Sequence, residues 1–120
     1  TPFYLYSKKQ IEENYIKFAK IFRNVNPLIC FAAKANTNLT IMKMLGKLGS
    51  GADVVSGGEL LKALMAGIKP NKIVFSGVGK TEEELKLAIK NKILLINVES
   101  ESEAVLINKI GKRVNKIISI

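Results

Sequence analysis

The sequence lacks the side chains that most metal sites and hydrolytic triads require. Its 120 residues contain no histidine and a single cysteine, Cys30. Without histidine, neither a Ser-His-Asp triad nor a zinc site of the Cys-His type can be built from these residues. A single cysteine also excludes an internal disulfide framework, which agrees with a reducing compartment. We therefore expect a cytoplasmic protein without a metal, and a Cys30 thiol buried in the core.

Long apolar runs are missing as well. No stretch approaches the roughly 20 apolar residues that span a bilayer, so we expect no membrane partner. The start, Thr1-Pro2-Phe3, does not lead from basic residues into an apolar segment, and no signal peptide is predicted. Because the first residue is not methionine and Ile120 lies inside an apolar run, we expect a chain cut at both ends. Its 48% hydrophobic and 24% charged residues are typical of one globular domain.

The charge is strongly basic, with a formal net value of +9. Such a balance is compatible with nucleic-acid binding. There is, however, no arginine-rich block and no interleaving of aromatic and basic residues. The lysines instead recur in pairs at helical spacing, as on solvated helix faces: Lys17 and Lys20, Lys43 and Lys47, Lys86 and Lys90, Lys109 and Lys112. We expect no nucleic-acid partner, and salt-sensitive binding to duplex DNA would be the observation that supports one.

Apolar strands and helical patterns alternate along the chain, in units of roughly 20 to 24 residues, the size of one strand plus one helix with short loops. Capping boxes open three of the helices, and their residue pairs are Ser7 with Gln10, Thr81 with Glu84 and Ser100 with Glu103. A short strand, Phe3 to Tyr6, and a helix from Ser7 come first. Further strands are predicted to begin near Leu28, Ala52, Lys72, Ile93 and Val114, with helices over about 38–48, 58–66, 81–91 and 101–110.

This alternation predicts an α/β fold with a parallel sheet. Continuously apolar strands such as Ile73-Val74-Phe75 are typical of a sheet covered on both faces. Four βα units and a fifth strand would make half of a TIM-type (β/α)8 barrel, and a doubly wound sheet is the alternative. In either architecture the working groups lie at the carboxyl ends of the strands.

Chemically active side chains follow each of these strands. Lys34 closes the first, Asp53 lies in the second, and Ser76-Gly77 and Glu99 follow the third and fourth. Lys34 is either a solvated surface cation or, in a restricted pocket, a nucleophilic amine. Glu59 and Glu99 have helix capping and active-site roles as alternatives. The stretch Ser76-Gly77-Val78-Gly79-Lys80-Thr81 is not a Walker A loop, because that pattern requires glycine where Val74 stands.

Five motifs resemble those of the diaminopimelate decarboxylases, in the same order and over nearly the whole chain. They are Thr1 to Tyr6, Phe31-Ala32-Ala33-Lys34-Ala35-Asn36, Ala52 to Leu60, Val74 to Thr81 and Leu95 to Glu101. That family consists of pyridoxal-phosphate enzymes with an alanine-racemase-like barrel and a separate β-domain. The resemblance implies decarboxylation of meso-2,6-diaminopimelate to L-lysine, with Lys34 in a Schiff base with pyridoxal 5'-phosphate.

The resemblance also implies that Asp53, Ser76 and Gly77 bind the cofactor, that residues 1–6 belong to the β-domain, and that the full-length protein is a homodimer. Alanine racemases and ornithine-type decarboxylases match these motifs less well. A non-catalytic relative of the same fold is a further alternative. The family's ring-stacking histidine, phosphate loop and pyridine-pairing carboxylate cannot be found in this chain. We therefore expect these 120 residues alone to be inactive.

Overall fold

A four-stranded parallel sheet forms the centre of the molecule, with its strands in the order β1-β2-β3-β4. The computed structural model describes all residues, 1–120. The strands are β1 Cys30–Ala32, β2 Gly51–Val54, β3 Ile73–Phe75 and β4 Leu95–Ile96. The helices are α1 Lys8–Ile21, α2 Leu39–Lys47, α3 Gly57–Met65, α4 Glu82–Asn91 and α5 Glu101–Val114, with short 3₁₀ turns at Arg23–Val25, Ala33–Ala35 and Pro70–Lys72. None of these helices combines the length with the apolar composition that a membrane span requires.

The strand order decides between the two predicted architectures. Parallel strands that are consecutive in the chain and adjacent in the sheet are joined by right-handed crossovers, which place every connecting helix on the same face. A doubly wound sheet instead reverses its strand order and carries helices on both faces. The continuous order of this sheet therefore corresponds to part of a barrel wall, and confirms the partial barrel.

Side-chain burial distinguishes the two faces of the sheet. Ala52, Val54, Ile73 and Phe75 are fully buried and belong to the main apolar core. Asp53 and Val74, which alternate with them, are only half-buried. Within these 120 residues the helices cover one face of the sheet. The second face, which in a barrel strand points into the barrel interior, is half-buried.

Helix starts follow the capping residues that the sequence predicts. Thr81 and Glu84 form a complete capping box. Ser7 and Ser100 each accept a hydrogen bond from the backbone N–H three residues later. Gln10, however, turns away and donates to Asn14 Oδ1 at 2.8 Å. These caps satisfy backbone N–H groups that no helical turn can reach, and so define where each helix begins.

The two ends of the chain differ from expectation. Residues 1–6 are exposed and form no strand. Val114 does not start a fifth strand, because it is the last residue of α5. The helix continues through Gly111, whose missing side chain admits Ile118: a Cβ there would lie 3.0 Å from Ile118 Cδ1. Beyond it, one backbone bond from Ile96 N–H to the Ser119 carbonyl, 3.1 Å, joins the segment to β4.

Candidate functional site

A line of three polar side chains crosses the carboxyl end of the sheet. Asn97 Nδ2 donates to Ser76 Oγ at 2.9 Å, and Ser76 Oγ donates to Asp53 Oδ1 at 2.6 Å. Asp53 lies within β2, whereas Ser76 and Asn97 directly follow β3 and β4. Because Asp53 pairs with Val74 in register, all three side chains lie on the half-buried face, opposite the helices. We call this set the polar line.

Lys34 lies one strand away from the polar line, on the 3₁₀ turn Ala33–Ala35 that follows β1. Ala32 pairs with Asp53, so the turn leaves the sheet just beyond Asp53. The Lys34 side chain is exposed, and its amine forms no hydrogen bond or ion pair within the chain. These residues therefore do not enclose the amine in the restricted pocket that one of the two alternatives requires. What the chain provides is an unpaired amine at the carboxyl end of the sheet.

The turn that carries Lys34 is anchored on both sides. Ala33 is completely buried in the core, and the Asn36 N–H donates to the Ala33 carbonyl at 3.0 Å. On the C-terminal side, Asn36 Oδ1 accepts from the Asn38 N–H at 3.0 Å. Lys62 of α3 donates to Thr37 Oγ1 at 3.0 Å. The backbone beneath Lys34 is therefore fixed, while its side chain remains free.

The two glutamates with alternative roles are both engaged in loop structure. Glu59 Oε2 accepts from the Val55 N–H at 2.9 Å, and Glu59 N–H donates to Ser56 Oγ at 3.2 Å. This pattern is that of a helix cap at the start of α3. Glu99 is exposed and its Oε1 accepts from the Gly77 N–H at 3.2 Å. The structure therefore favours capping for Glu59 and loop support for Glu99.

Gly77 occupies a position that only glycine adopts readily. Its φ is +91°, and a Cβ on it would lie 3.2 Å from the Val55 Cβ. Both the left-handed backbone and the close approach to the neighbouring loop exclude a side chain here without strain. The glycine therefore brings the loop after β3 close to the loop after β2, beside Ser76.

A buried ion pair lies behind the polar line and was not singled out from the sequence. Lys80 Nζ lies 2.8 Å from Glu103 Oε1, with side-chain exposures of 1% and 8%. Glu103 was interpreted as the second residue of a capping box, but its Oε2 accepts from the Glu99 N–H at 2.8 Å instead. In the sequence, Lys80 stands out only as a lysine inside a glycine-rich loop. No spacing pattern connects it to Glu103, which lies 23 positions later.

Local environments shift two pKa values near these loops. Hydrogen bonds from the Gly57 N–H and then the Thr81 N–H lower the pKa of Glu84. Burial, followed by the negative charge of Asp53, raises the pKa of Cys30. Both effects disfavour the thiolate of the half-buried Cys30, which is the form in which a cysteine acts as a nucleophile. No group of three or more His, Cys, Asp or Glu side chains is placed to hold a metal ion.

Comparisons with known proteins cover almost the whole chain. Residues 8–120 match the family model described as pyridoxal-dependent decarboxylase, pyridoxal binding domain. The diaminopimelate decarboxylase of Aquifex aeolicus (strain VF5) is 49% identical over 116 residues, which are 97% of this chain and 27% of that protein. The chain thus spans less than a third of the length of the curated relatives it matches.

Solved structures give the same result. The diaminopimelate decarboxylase of Helicobacter pylori complexed with L-lysine superposes with a TM-score of 0.93 and 48% identity, over 96% of this chain and 29% of that one. The enzyme from M. jannaschii in co-complex with L-lysine superposes with a TM-score of 0.90 and 41% identity, over 93% of this chain and 27% of that one.

Proposed function

Because the chain belongs to the pyridoxal-dependent decarboxylases, as part of their pyridoxal binding domain, we propose that it serves in the decarboxylation of meso-2,6-diaminopimelate to L-lysine. The identity of 49% to the Aquifex aeolicus diaminopimelate decarboxylase supports this substrate. Since the chain covers 27% of that relative, the activity is proposed for the protein completed by the remaining barrel strands. These 120 residues alone are expected to have at most trace activity.

The residues at the carboxyl end of the sheet fit the cofactor of this family. Pyridoxal phosphate, when bound, accepts the electrons of the bond that breaks as carbon dioxide leaves. Lys34 offers the amine through which the chain would hold it covalently. The single observation that carries the proposal is that this amine is unpaired and exposed on an anchored turn, beside the strand that carries Asp53.

The polar line supplies the next contacts. Asp53 accepts from Ser76 through Oδ1 alone, which leaves its other oxygen available for a cationic group. The negative charge would attract the Lys34 ammonium or a substrate amine. Ser76 keeps the carboxylate oriented, and Gly77 lets the backbone approach closely beside it. We assign Asp53, Ser76 and Gly77 to cofactor binding in these roles.

Other features of the family extend the proposal beyond these residues. We propose a cytoplasmic homodimer for the completed protein. Residues 1–6 expose Phe3, Tyr4 and Leu5 almost fully, and exposed apolar residues of this kind mark contact surfaces. We propose that they pack into a separate β-domain.

Reductive labelling tests the role of Lys34. In a hybrid protein, this chain replaces the matching segment of the Aquifex aeolicus diaminopimelate decarboxylase. The hybrid is incubated with pyridoxal phosphate, reduced with borohydride, digested and mapped by mass spectrometry. We expect one adduct, on Lys34, together with diaminopimelate decarboxylation.

Two variants of the hybrid act as a matched pair in this test. Lys34→Arg keeps the charge but removes the primary amine, and should abolish both the adduct and the activity. Lys43→Arg makes the same change on the exposed surface of α2 and should alter neither. An adduct elsewhere, or activity in Lys34→Arg close to that of the parent, would overturn the assignment.

A further inference from the structure

Lys80 is the most completely buried charged side chain of the carboxyl end, and its amine is fully satisfied. Its Nζ donates to the Gly77 carbonyl at 2.6 Å, to the Asn97 carbonyl at 2.7 Å and to Glu103 Oε1 at 2.8 Å. An ammonium group has three donors, and each has one acceptor here. The three acceptors come from the loop after β3, the loop after β4 and helix α5. One cation therefore holds three chain segments together.

These contacts close into a ring. Glu103 Oε2 accepts from the Glu99 N–H at 2.8 Å, and Glu99 Oε1 accepts from the Gly77 N–H at 3.2 Å. Gly77 in turn offers its carbonyl to Lys80. The ring thus runs Lys80, Gly77, Glu99, Glu103 and back to Lys80. It fixes the backbone of the β3 loop against the backbone of the β4 loop.

The ring supports the polar line directly. Asn97, whose carbonyl accepts from Lys80, uses its side-chain amide to donate to Ser76 Oγ. Ser76 precedes Gly77 and donates to Asp53. A shift of either loop by about 1 Å would lengthen these bonds beyond hydrogen-bonding distance. The positions of Ser76 and Asp53 therefore depend on the ring.

Stability alone does not account for such a pair. A buried ion pair loses so much hydration that an apolar pair of similar volume is often equally stable or more stable. An apolar pair cannot, however, hold two carbonyls and a carboxylate in fixed directions. We propose that Lys80 and Glu103 are positioning residues, which hold the Ser76–Asp53 end of the polar line in the geometry that binds pyridoxal phosphate. This inference rests on the proposed function.

The test uses a double substitution in the hybrid protein, Lys80→Met with Glu103→Leu, which keeps the volume and removes both charges. A matched control, Lys86→Met with Glu82→Leu, removes an exposed pair on α4 whose charged atoms lie 3.0 Å apart. We measure the dissociation constant of pyridoxal phosphate by absorbance titration, the melting temperature, and kcat and KM separately.

For the buried pair we expect the cofactor to bind at least tenfold more weakly and kcat to fall at least as much, while the melting temperature stays within a few degrees of the parent. The control should change the dissociation constant less than twofold. A folded Lys80→Met/Glu103→Leu variant whose cofactor affinity lies within twofold of the parent would overturn the proposal.

A milder variant decides the question if the double variant does not fold. In Glu103→Gln only one carbonyl oxygen remains, so it cannot accept from both Lys80 and the Glu99 N–H in the present geometry. We expect a threefold or greater loss of cofactor affinity, and a loss that is less than additive with Asn97→Ala because both act through one network. Unchanged affinity, or strict additivity, would contradict the proposal.

The parent hybrid separates the two possible failures. If it does not take up pyridoxal phosphate on Lys34, the proposed function fails and this inference fails with it. If it does, and the variants of the ring bind the cofactor as the parent does, the inference alone fails.

Discussion

Gly51, the first residue of β2, offers the sharpest test of how the sheet positions the site. A Cβ on Gly51 would lie 2.2 Å from the Lys72 carbonyl oxygen and 2.8 Å from Cys30 Sγ. Gly51→Ala therefore requires a movement of at least about 0.8 Å to bring the distance between this Cβ and the Lys72 oxygen to 3.0 Å, because real Cβ atoms essentially never make closer contacts. The cysteine side chain can turn away, but the carbonyl belongs to the backbone that leads into β3 and cannot.

Overpacking of this kind costs about 1–3 kcal/mol, and alanine recovers roughly 0.5–1 kcal/mol of the entropy that glycine loses in a strand. We expect a net loss of about 1 kcal/mol, which in a protein as large as the hybrid lowers the melting temperature by roughly 2–4 °C. Because Asp53 is two residues away and its bond to Ser76 is 2.6 Å long, a shift between β2 and β3 should also weaken cofactor binding severalfold.

The measurements are thermal unfolding and pyridoxal phosphate titration of the hybrid protein carrying Gly51→Ala. The matched control is Gly58→Ala in the first turn of α3, where the nearest atom to a Cβ is Ser56 Oγ at 3.9 Å. That change should be neutral or stabilising by up to about 1 kcal/mol. If Gly51→Ala melted within 1 °C of the parent and bound the cofactor equally well, the argument from the β2–β3 contact would be refuted.

Two further predictions concern the core and the α4 cap, and both are tested by thermal unfolding of the hybrid. Phe75→Ala leaves a cavity at a fully buried position and should lower the free energy of unfolding by about 3–5 kcal/mol. Val78 is 83% exposed, so the control Val78→Ala should hardly change that free energy. Equal melting temperatures of the two variants would contradict the prediction. Glu84→Gln should destabilise by about 1 kcal/mol at pH 7. The Gly57 and Thr81 N–H groups lower the pKa of Glu84 in the folded protein. The stabilisation by the Glu84 carboxylate is therefore complete above the pKa of the unfolded chain and is lost as the pH falls through the lower pKa of the folded protein. A difference in melting temperature between the parent and Glu84→Gln that persisted undiminished in strong acid would contradict this prediction.

Local sequence signals predicted most of the fold because each acts over a few residues. Four strand starts were placed within two residues of the observed ones, since apolar runs and caps such as Thr81 with Glu84 are local features. The strand predicted at Phe3–Tyr6 does not form, because no neighbouring strand pairs with it. The strand start predicted near Val114 was wrong, because α5 continues through Gly111, where the missing side chain admits Ile118.

The candidate site was predictable only as a set of residues at one end of the sheet. The rule that strand ends meet there brought Asp53 and Ser76 together, as observed. The sequence alone could not decide whether Glu59 caps a helix or acts in the active site, because a carboxylate three residues after an N-cap residue suits both roles. The Lys80–Glu103 pair joins positions 23 apart, and no spacing rule connects such residues before the loops are in place.

The strand order β1-β2-β3-β4 bears on how the chain folds during its synthesis. Each strand pairs with the strand that precedes it by about 21 residues in the chain, as Val74 of β3 pairs with Asp53 of β2. A newly synthesised strand can therefore pair at once with a strand that is already present. The growing sheet has two edges, β1 and the newest strand, and short edge strands offer little template for pairing with other chains. β4 has only two residues, and the Ile96 N–H is already taken by Ser119. The nascent sheet can therefore lengthen one unit at a time while exposing few groups to mispairing.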